Sequence, residues 1–389
     1  MSRRQLLALM VVNMSAFAGG IGLFNLLPIY ATRLGADPAS TGAFLSSIFI
    51  AVALGTIIAG WLADRFQKRK LILIVTGASM VVVTWLMGSA TTLSQLTLLM
   101  CVNWFMGSMM GAMVGILAGL FAGEHERGRV FGLVGLAVGM GGTIGSFAAG
   151  PIVDRWGYPA LFQVAALSYA VIPLAGLFLT DRVIPRSQPQ QGAAQRPRFL
   201  TNRTFLLLCC ATAIIHIANS QITLSKPLIM DSLHFDATSI STAGAIGSLV
   251  CLPLPFLVGW LSDRLGRKPF IVLCYLSQVI GLLILTSSSI LWLFWMISIF
   301  QSVVGNSMIA GQALVTDTFP QESLGTALSL FGATPWIGFV IGFSLSGTAM
   351  NAFGVTPSLM LGVGIALVAM LLLIPIQSQK PPPLAVEGV

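Results

Sequence analysis

Twelve stretches of 17 to 27 residues, nearly free of charge, follow one another along this 389-residue chain. Each is about as long as the ~20 apolar residues a helix needs to cross a bilayer. They are Leu6–Tyr30, Thr41–Ala63, Leu71–Ala90, Leu96–Ala122, Gly128–Val153 and Pro159–Leu179, then Phe205–Met230, Ser239–Leu261, Phe270–Thr286, Leu291–Thr316, Leu324–Met350 and Ser358–Ile376. Only 8% of residues are charged, against about 25% in a soluble domain, and the mean hydropathy is +0.91. A soluble, disordered or nucleic-acid-binding chain is excluded despite the net charge of +8. The expected class is an all-α membrane protein with lipid as its solvent. The first run is longer than a signal-peptide core and lacks a small-residue cleavage site, so it is expected to remain as a crossing.

Between the sixth and seventh runs lies Asp181–Arg203, rich in Pro, Gln and Arg. The expected organisation is therefore a six-helix bundle over residues 1–180, a cytoplasmic linker over 181–203, a second six-helix bundle over 204–377 and a disordered tail over 378–389. Basic residues set the orientation. With both termini inside, 17 of the 20 Lys and Arg face the cytoplasm, leaving Arg33, Arg155 and Lys226 outside. The expected location is the plasma (inner) membrane. Cys101, Cys209, Cys210, Cys251 and Cys274 all fall within apolar runs and read as small packing residues. Three histidines and few carboxylates argue against an enzyme, and no cofactor or metal is expected.

One segment recurs four times. Gly60-Trp61-Leu62-Ala63-Asp64-Arg65-Phe66-Gln67 ends the second run, and Gly259-Trp260-Leu261-Ser262-Asp263-Arg264-Leu265-Gly266 ends the eighth, 199 residues on. Fainter copies, Gly150 to Gly157 around Asp154 and Gly347 to Gly354 around Asn351, end the fifth and eleventh. Copies within a half are three helices apart, so successive units are inverted in the membrane. Inverted repeats of this kind belong to secondary transporters, which bind solute near the midplane.

The chain resembles the major facilitator superfamily. Its G-x-L-a-D-R-x-G-R-K motif is matched by Gly60, Leu62, Asp64, Arg65, Arg69 and Lys70, with Gln67 in place of the turn glycine, and by Gly259, Leu261, Asp263, Arg264, Gly266, Arg267 and Lys268. The resemblance implies two six-helix bundles related by a pseudo-twofold axis. It also implies a gating role: Asp64 and Asp263 would cap helix starts in the opposite half, near Leu324 and Gly128, when the cytoplasmic side is closed. Arg65 and Arg264 would pair with Glu124 and Glu322. The plain alternative is that these are solvated anchors obeying the charge bias of cytoplasmic loops.

The family builds its cavity from helices one, four, seven and ten, and polar stripes support that choice. On helix seven Thr212, His216, Asn219, Ser220 and Thr223 share one face, which would be costly against lipid. Interhelical hydrogen bonding is the alternative. On helix four Gly107, Gly111, Gly115, Gly119 and Gly123 form a row expected to pack closely. Met106, Met109, Met110 and Met113, with Asn103 nearby, lie on the other side as solute lining or as core. Helix ten offers Gln301, Gly305, Met308 and Gln312, with Ser302 and Asn306 adjacent, and helix one offers Asn13, Phe17, Gly20 and Phe24. His216 is the one titratable side chain placed near a helix centre, either as proton carrier or as a neutral hydrogen-bonding group.

The resemblance is nearest to the drug and metabolite efflux branch, with departures. Asn103 stands where that branch carries an arginine in helix four. Gly145-Ser146-Phe147-Ala148-Ala149-Gly150 stands where helix five carries G-P-x-x-G-G. The expected function is alternating-access transport of a small organic solute, with efflux of neutral or amphipathic drug-like compounds first. Proton-coupled antiport and a simple uniporter both stay open. Uptake or facilitated transport of a sugar or organic acid is the second reading, and a non-transporting sensor on the same fold the third. The expected partners are the solute, protons under the antiport reading, and the bilayer, with the protein a monomer that binds no nucleic acid.

Overall fold

The computed structural model describes residues 2–122, 126–181 and 202–376; most of the linker, Glu124 and the tail lie outside them. Among the described residues all regular structure is helical. In lipid a helix satisfies its own backbone polar groups, which an open strand cannot. Helix α1 (Arg3–Phe24) and the short α2 (Leu27–Arg33) make the first crossing, followed by α3 (Pro38–Phe66), α4 (Arg69–Met87) and α5 (Leu93–Phe121). Helix α6 (Arg127–Leu177) has 51 residues, about 76 Å of helix against a hydrocarbon core of ~30 Å. It holds two crossings, separated where Gly157 leaves helical geometry at φ 79°, ψ 177°. Helix α7 (Arg203–Ser232) opens the second bundle. The eighth crossing is interrupted: α8 (Ala237–Val250) and α9 (Leu254–Leu265) are separated at Pro253, which has no N–H to continue the ladder. Helices α10 (Arg267–Thr286), α11 (Leu291–Thr318), α12 (Gln321–Phe353) and α13 (Val355–Leu373) complete twelve crossings in two bundles of six.

The fourfold repeat is written into the backbone. The last residue of each copy, Gln67, Gly157, Gly266 and Gly354, has positive φ, at 53°, 79°, 92° and 85°. At Gly157 and Gly354 ψ lies close to 180°, a region essentially restricted to glycine. Gln67 manages without glycine because its ψ is 17°, an ordinary left-handed helix cap that other residues tolerate. The 199-residue offset between halves recurs on the opposite side of the membrane. Gly35 and His234 both have positive φ. Asp37 and Asp236 both cap the next helix, accepting from Ser40 N at 2.7 Å and Ser239 N at 2.8 Å. Those hydrogen bonds hold both carboxyls below the usual carboxylate range. The caps are therefore intact at neutral pH and are lost only as acid protonates them, below the usual carboxylate range.

The side of the protein bearing Asp64 is called the motif side. The basic end of each motif copy ties its bundle together there. Lys70 Nζ donates to the Leu177 carbonyl (2.8 Å) and Lys268 Nζ to the Ile374 carbonyl (2.7 Å), so each lysine neutralises the C-terminal end of its bundle's last helix. Asp181 accepts from Lys70 N at 3.1 Å. Arg267 bridges Ser262 at 2.9 Å and Asp317 at 3.4 Å.

The bundles meet along α3 with α12 and along α6 with α8. Glycines let these backbones touch on the side away from the motif. A methyl group at Gly42 would strike the Phe343 carbonyl, one at Gly347 the Pro38 carbonyl, and one at Gly150 the Thr238 backbone. Ser46 Oγ donates to the Val340 carbonyl at 2.6 Å. Toward the motif side the contact ends. A Cβ added at Gly60, Gly132, Gly135, Gly325 or Gly332 would meet nothing within 4 Å. The eighth crossing shows the same: α8 packs along α6 of the first bundle, whereas α9, its motif-side half, packs on α10 and α11 of its own bundle, so the bundles diverge toward the motif side.

One packing expectation fails. On α5 a Cβ at Gly111 or Gly115 would meet nothing within 4 Å, and at Gly119 only the Phe131 ring edge at 3.8 Å. The close approach is made instead by Gly55 of α3, whose added Cβ would lie 2.5 Å from the Phe105 carbonyl. Helix α3 supplies the small residue, so α5 needs none; Gly123 lies outside the described residues. Substituting Gly157 or Gly354 by Ala should cost about 1–3 kcal/mol through backbone strain alone, and should lower the unfolding temperature of the purified protein in detergent. An unchanged melting curve for both variants would show that the turns relax.

Candidate transport site

The contact between the bundles at the base of this divergence is aromatic. Phe49 of α3 stacks on Phe339 (4.9 Å between centroids), Phe343 (5.3 Å) and Trp336 (5.8 Å) of α12. Phe24 of α1 meets Trp104 of α5 at 5.5 Å, Phe49 at 5.9 Å and Phe343 at 6.5 Å. Of the predicted lining, Phe24 belongs to this group and His216 stands against its Phe339. The others were missed, although Trp336, Phe339 and Phe343 fall at i, i+3 and i+7, a legible helical stripe. Four ring contacts cross between bundles, each contributing about 0.5–1.5 kcal/mol beyond simple burial.

The helix-seven stripe divides among three neighbours. Thr212 shares a hydrogen bond with Tyr275 of α10 at 3.3 Å. His216 and Ser220 face α12: the imidazole stands edge-on to Phe339 at 5.2 Å, and Ser220 pairs with Ser346 at 3.1 Å. His216 Nδ1 lies 2.8 Å from the Thr212 carbonyl, an acceptor only. Nδ1 must donate, so in the neutral ring Nε2 is the acceptor. Asn219 and Thr223 face α11, where Gln301 Nε2 donates to Asn219 Oδ1 (3.0 Å) and Thr223 Oγ1 (2.8 Å). Gln301 Oε1 then accepts from Lys226 Nζ at 3.3 Å, and Ser298 Oγ accepts from the same ammonium at 2.8 Å. Lys226, counted with the outside residues from its place toward the outer end of helix seven, is drawn into the second bundle.

The remaining predicted lining residues are spread through the bundles. Asn13 donates to the Val134 carbonyl at 3.4 Å, joining α1 to α6. Asn103 donates to Thr84 Oγ1 at 2.6 Å, joining α5 to α4. Met110 is buried, and Met106 half-buried, in an apolar core with Leu9, Val12 and Val134. Phe17 is partly exposed. Asn306 donates to the Ser302 carbonyl at 2.9 Å and lies 3.6 Å from Cys251 Sγ.

Opposite the motif side the bundles are latched by a carboxylate. Asp154, in the inverted copy of the repeat, accepts from Ala237 N (3.0 Å), Thr238 N (2.8 Å) and Thr238 Oγ1 (2.5 Å) at the start of α8. With Asp236 taking Ser239 N, three of that helix's orphan N–H groups are capped. Beside it Arg33 reaches Asp231 at 3.9 Å and lies over Tyr158 at 5.4 Å. Asp64, the counterpart on the motif side, is exposed and accepts no hydrogen bond among the described residues. Arg65 is also exposed, and Arg264 stacks on Trp260 at 4.0 Å. Glu124 and the side chains of Asp263 and Glu322 lie outside the described residues.

The Major Facilitator Superfamily model matches residues 9–224 and 208–388. The chain belongs to the Major Facilitator Superfamily. It is a multi-pass membrane transporter, not an enzyme. Multidrug resistance protein MdtG of Proteus mirabilis (strain HI4320) is 24% identical over 282 residues, covering 68% of this chain and 69% of that protein. Sugar efflux transporter A of Dickeya chrysanthemi is 23% identical over 215 residues, 54% of this chain and 53% of its own. In fold, this superfamily member resembles an inward-facing, unoccupied bacterial homologue of the human lysosomal transporter Spinster. The TM-score is 0.80 at 14% identity, over 96% of this chain and 97% of the other.

Asp154→Asn keeps the size of the side chain but removes its charge, worth up to about 2 kcal/mol at a helix N-terminus, and sets an amide NH2 against one of the N–H groups that both carboxylate oxygens now accept. The expected result is faster labelling of a cysteine introduced at Ser46 by a membrane-impermeant thiol reagent applied from the latched side. Equal labelling rates would show that the latch does not hold that side shut.

Proposed function

We propose that this transporter exports small neutral or amphipathic organic solutes, with the motif side in the cytoplasm and the plasma membrane as its site. The single observation that carries the reading is the way the bundles diverge: open toward the motif side, closed by aromatic rings, and latched beyond them by Asp154. An aromatic end accepts flat or greasy solutes by stacking and dispersion, without demanding one hydrogen-bonding pattern. Likeness to multidrug and sugar efflux proteins supports the outward direction. The 17:3 bias of Lys and Arg supports the orientation, and under it the conformation is inward-facing. Asp64 and Asp263 then act on the closing of this side, as carboxylates meeting helix N-termini in the outward-facing state.

His216 is assigned to the cavity wall as a neutral hydrogen-bonding group, since the ring is buried and a charged imidazolium there would have no carboxylate among its described partners. A second reading, carriage of a polar metabolite, draws on the amide and hydroxyl groups of Asn219, Thr223 and Gln301.

Proteoliposomes loaded with ethidium or Nile red should show exchange through the wild type. Phe49→Ala should weaken apparent affinity about 5- to 10-fold, the equivalent of ~1–1.4 kcal/mol of ring contact. No exchange of either dye would end the drug-like reading. His216→Gln should leave the response to an imposed pH gradient unchanged; loss of that response would make the imidazole the proton carrier.

A further inference from the structure

Lys226 sits near the outer end of α7, and a lysine there ordinarily snorkels out to water. This one turns the other way. Side chains on a helix lean toward its N-terminus, and the N-terminus of α7 is on the motif side. The ammonium accordingly lands beside Ser298 and Gln301. Gln301 is ten residues from the end of the 28-residue α11, about 15 Å in and close to mid-helix.

The surroundings are ordered around that charge. Gln301 spends both amide hydrogens on Asn219 and Thr223, which fixes its carbonyl oxygen toward Nζ. Every oxygen meeting the ammonium belongs to a neutral group. The chain's twelve carboxylates lie, by sequence position, at the ends of crossings, in connections or in the tail. Asp231, on the same helix, is engaged with Arg33. A cation at this depth is costly unless an anion joins it, and the chain has no carboxylate at that level to supply.

We infer that Lys226, with Ser298, Gln301, Asn219 and Thr223, forms a subsite for a single carboxylate, carried on an amphipathic solute whose apolar body lies toward the aromatic end. The inference rests on the transporter reading and narrows its solute class. One ammonium matches one negative charge; a dianionic phosphate would call for a second cation, and Arg33 is committed to Asp231 at the surface. The third ammonium proton and the Asn219 Nδ2 amide, which donate to no described group while Gln301, Thr223 and Ser298 spend their hydrogens on protein acceptors, are left to meet the carboxylate.

The test compares 2-naphthoate with 2-naphthamide, equal in shape and differing in charge, by calorimetry on the purified protein. Wild type should bind the carboxylate at least tenfold more tightly. Lys226→Met should erase that preference while changing amide affinity less than twofold. Gln301→Glu, which keeps the lysine but pairs it internally, should erase it too. Equal affinities in the wild type, or a preference that survives both substitutions, overturns the subsite. Exchange across proteoliposome membranes separates the two proposals. Amide and dye exchange without a carboxylate preference removes the subsite alone. Lys226-dependent binding without any exchange removes the transport reading and leaves the subsite.

Discussion

The architecture depends on contact between the bundles being confined to one half of the membrane. On that side α3 and α12 approach at Gly42 and Gly347, and α6 and α8 at Gly150, with too little room for a methyl group. Lipid gives no hydrophobic reward for bringing two apolar helices together, so close backbone packing and a few polar bonds must hold them. The Ser46 bond to the Val340 carbonyl and the Asp154 cap on α8 supply the polar part. Where the glycines stop meeting a partner, the helices separate. A rigid pair of bundles touching at one end is already most of the device for exposing a central site to one side at a time.

The energies involved suit a switch. The Asp154 cap and the four cross-bundle ring contacts each contribute about one kcal/mol, up to roughly two for the cap. Together they come to a few kcal/mol, of which a similar cap at Asp64 on the other side would return up to about two. Two states within a few kcal/mol of each other are what a solute with modest differential affinity can shift. The inverted repeat makes this balance natural, because the carboxylate that latches one side and the carboxylate left exposed on the other come from copies of one segment.

Much of this was legible in the sequence. Crossing number and bundle division followed from the apolar runs. The repeat marked the ends of four crossings, and the structure places a positive-φ residue at the last position of each copy. What could not be read was where a polar side chain on a helix points. Asn13 and Asn103 look like lining but serve helix packing within their bundle, because a buried amide in lipid is satisfied by any nearby acceptor. Met110 resembled lining and is core, since a thioether is at home in either. The aromatic stripe of α12 was visible at helical spacing, yet its partner Phe49 lies almost 300 residues away, and only the fold joins them.

Lys226 shows where a sequence rule and a structure part company. The charge bias across the membrane counted it among three outside residues, a count that needs only its position near a helix end. Removing it leaves the bias at 17 to 2, so the orientation argument is strengthened and not lost. The residue's own meaning changes more. A lysine pointing to water is an anchor, whereas the same lysine leaning back along α7 places a positive charge at the level of Gln301, in the wall of a structure whose carboxylates all sit elsewhere. The direction of the chain through the membrane decides between the two. On a helix running the other way, the same lean toward the N-terminus would have carried the ammonium out to solvent.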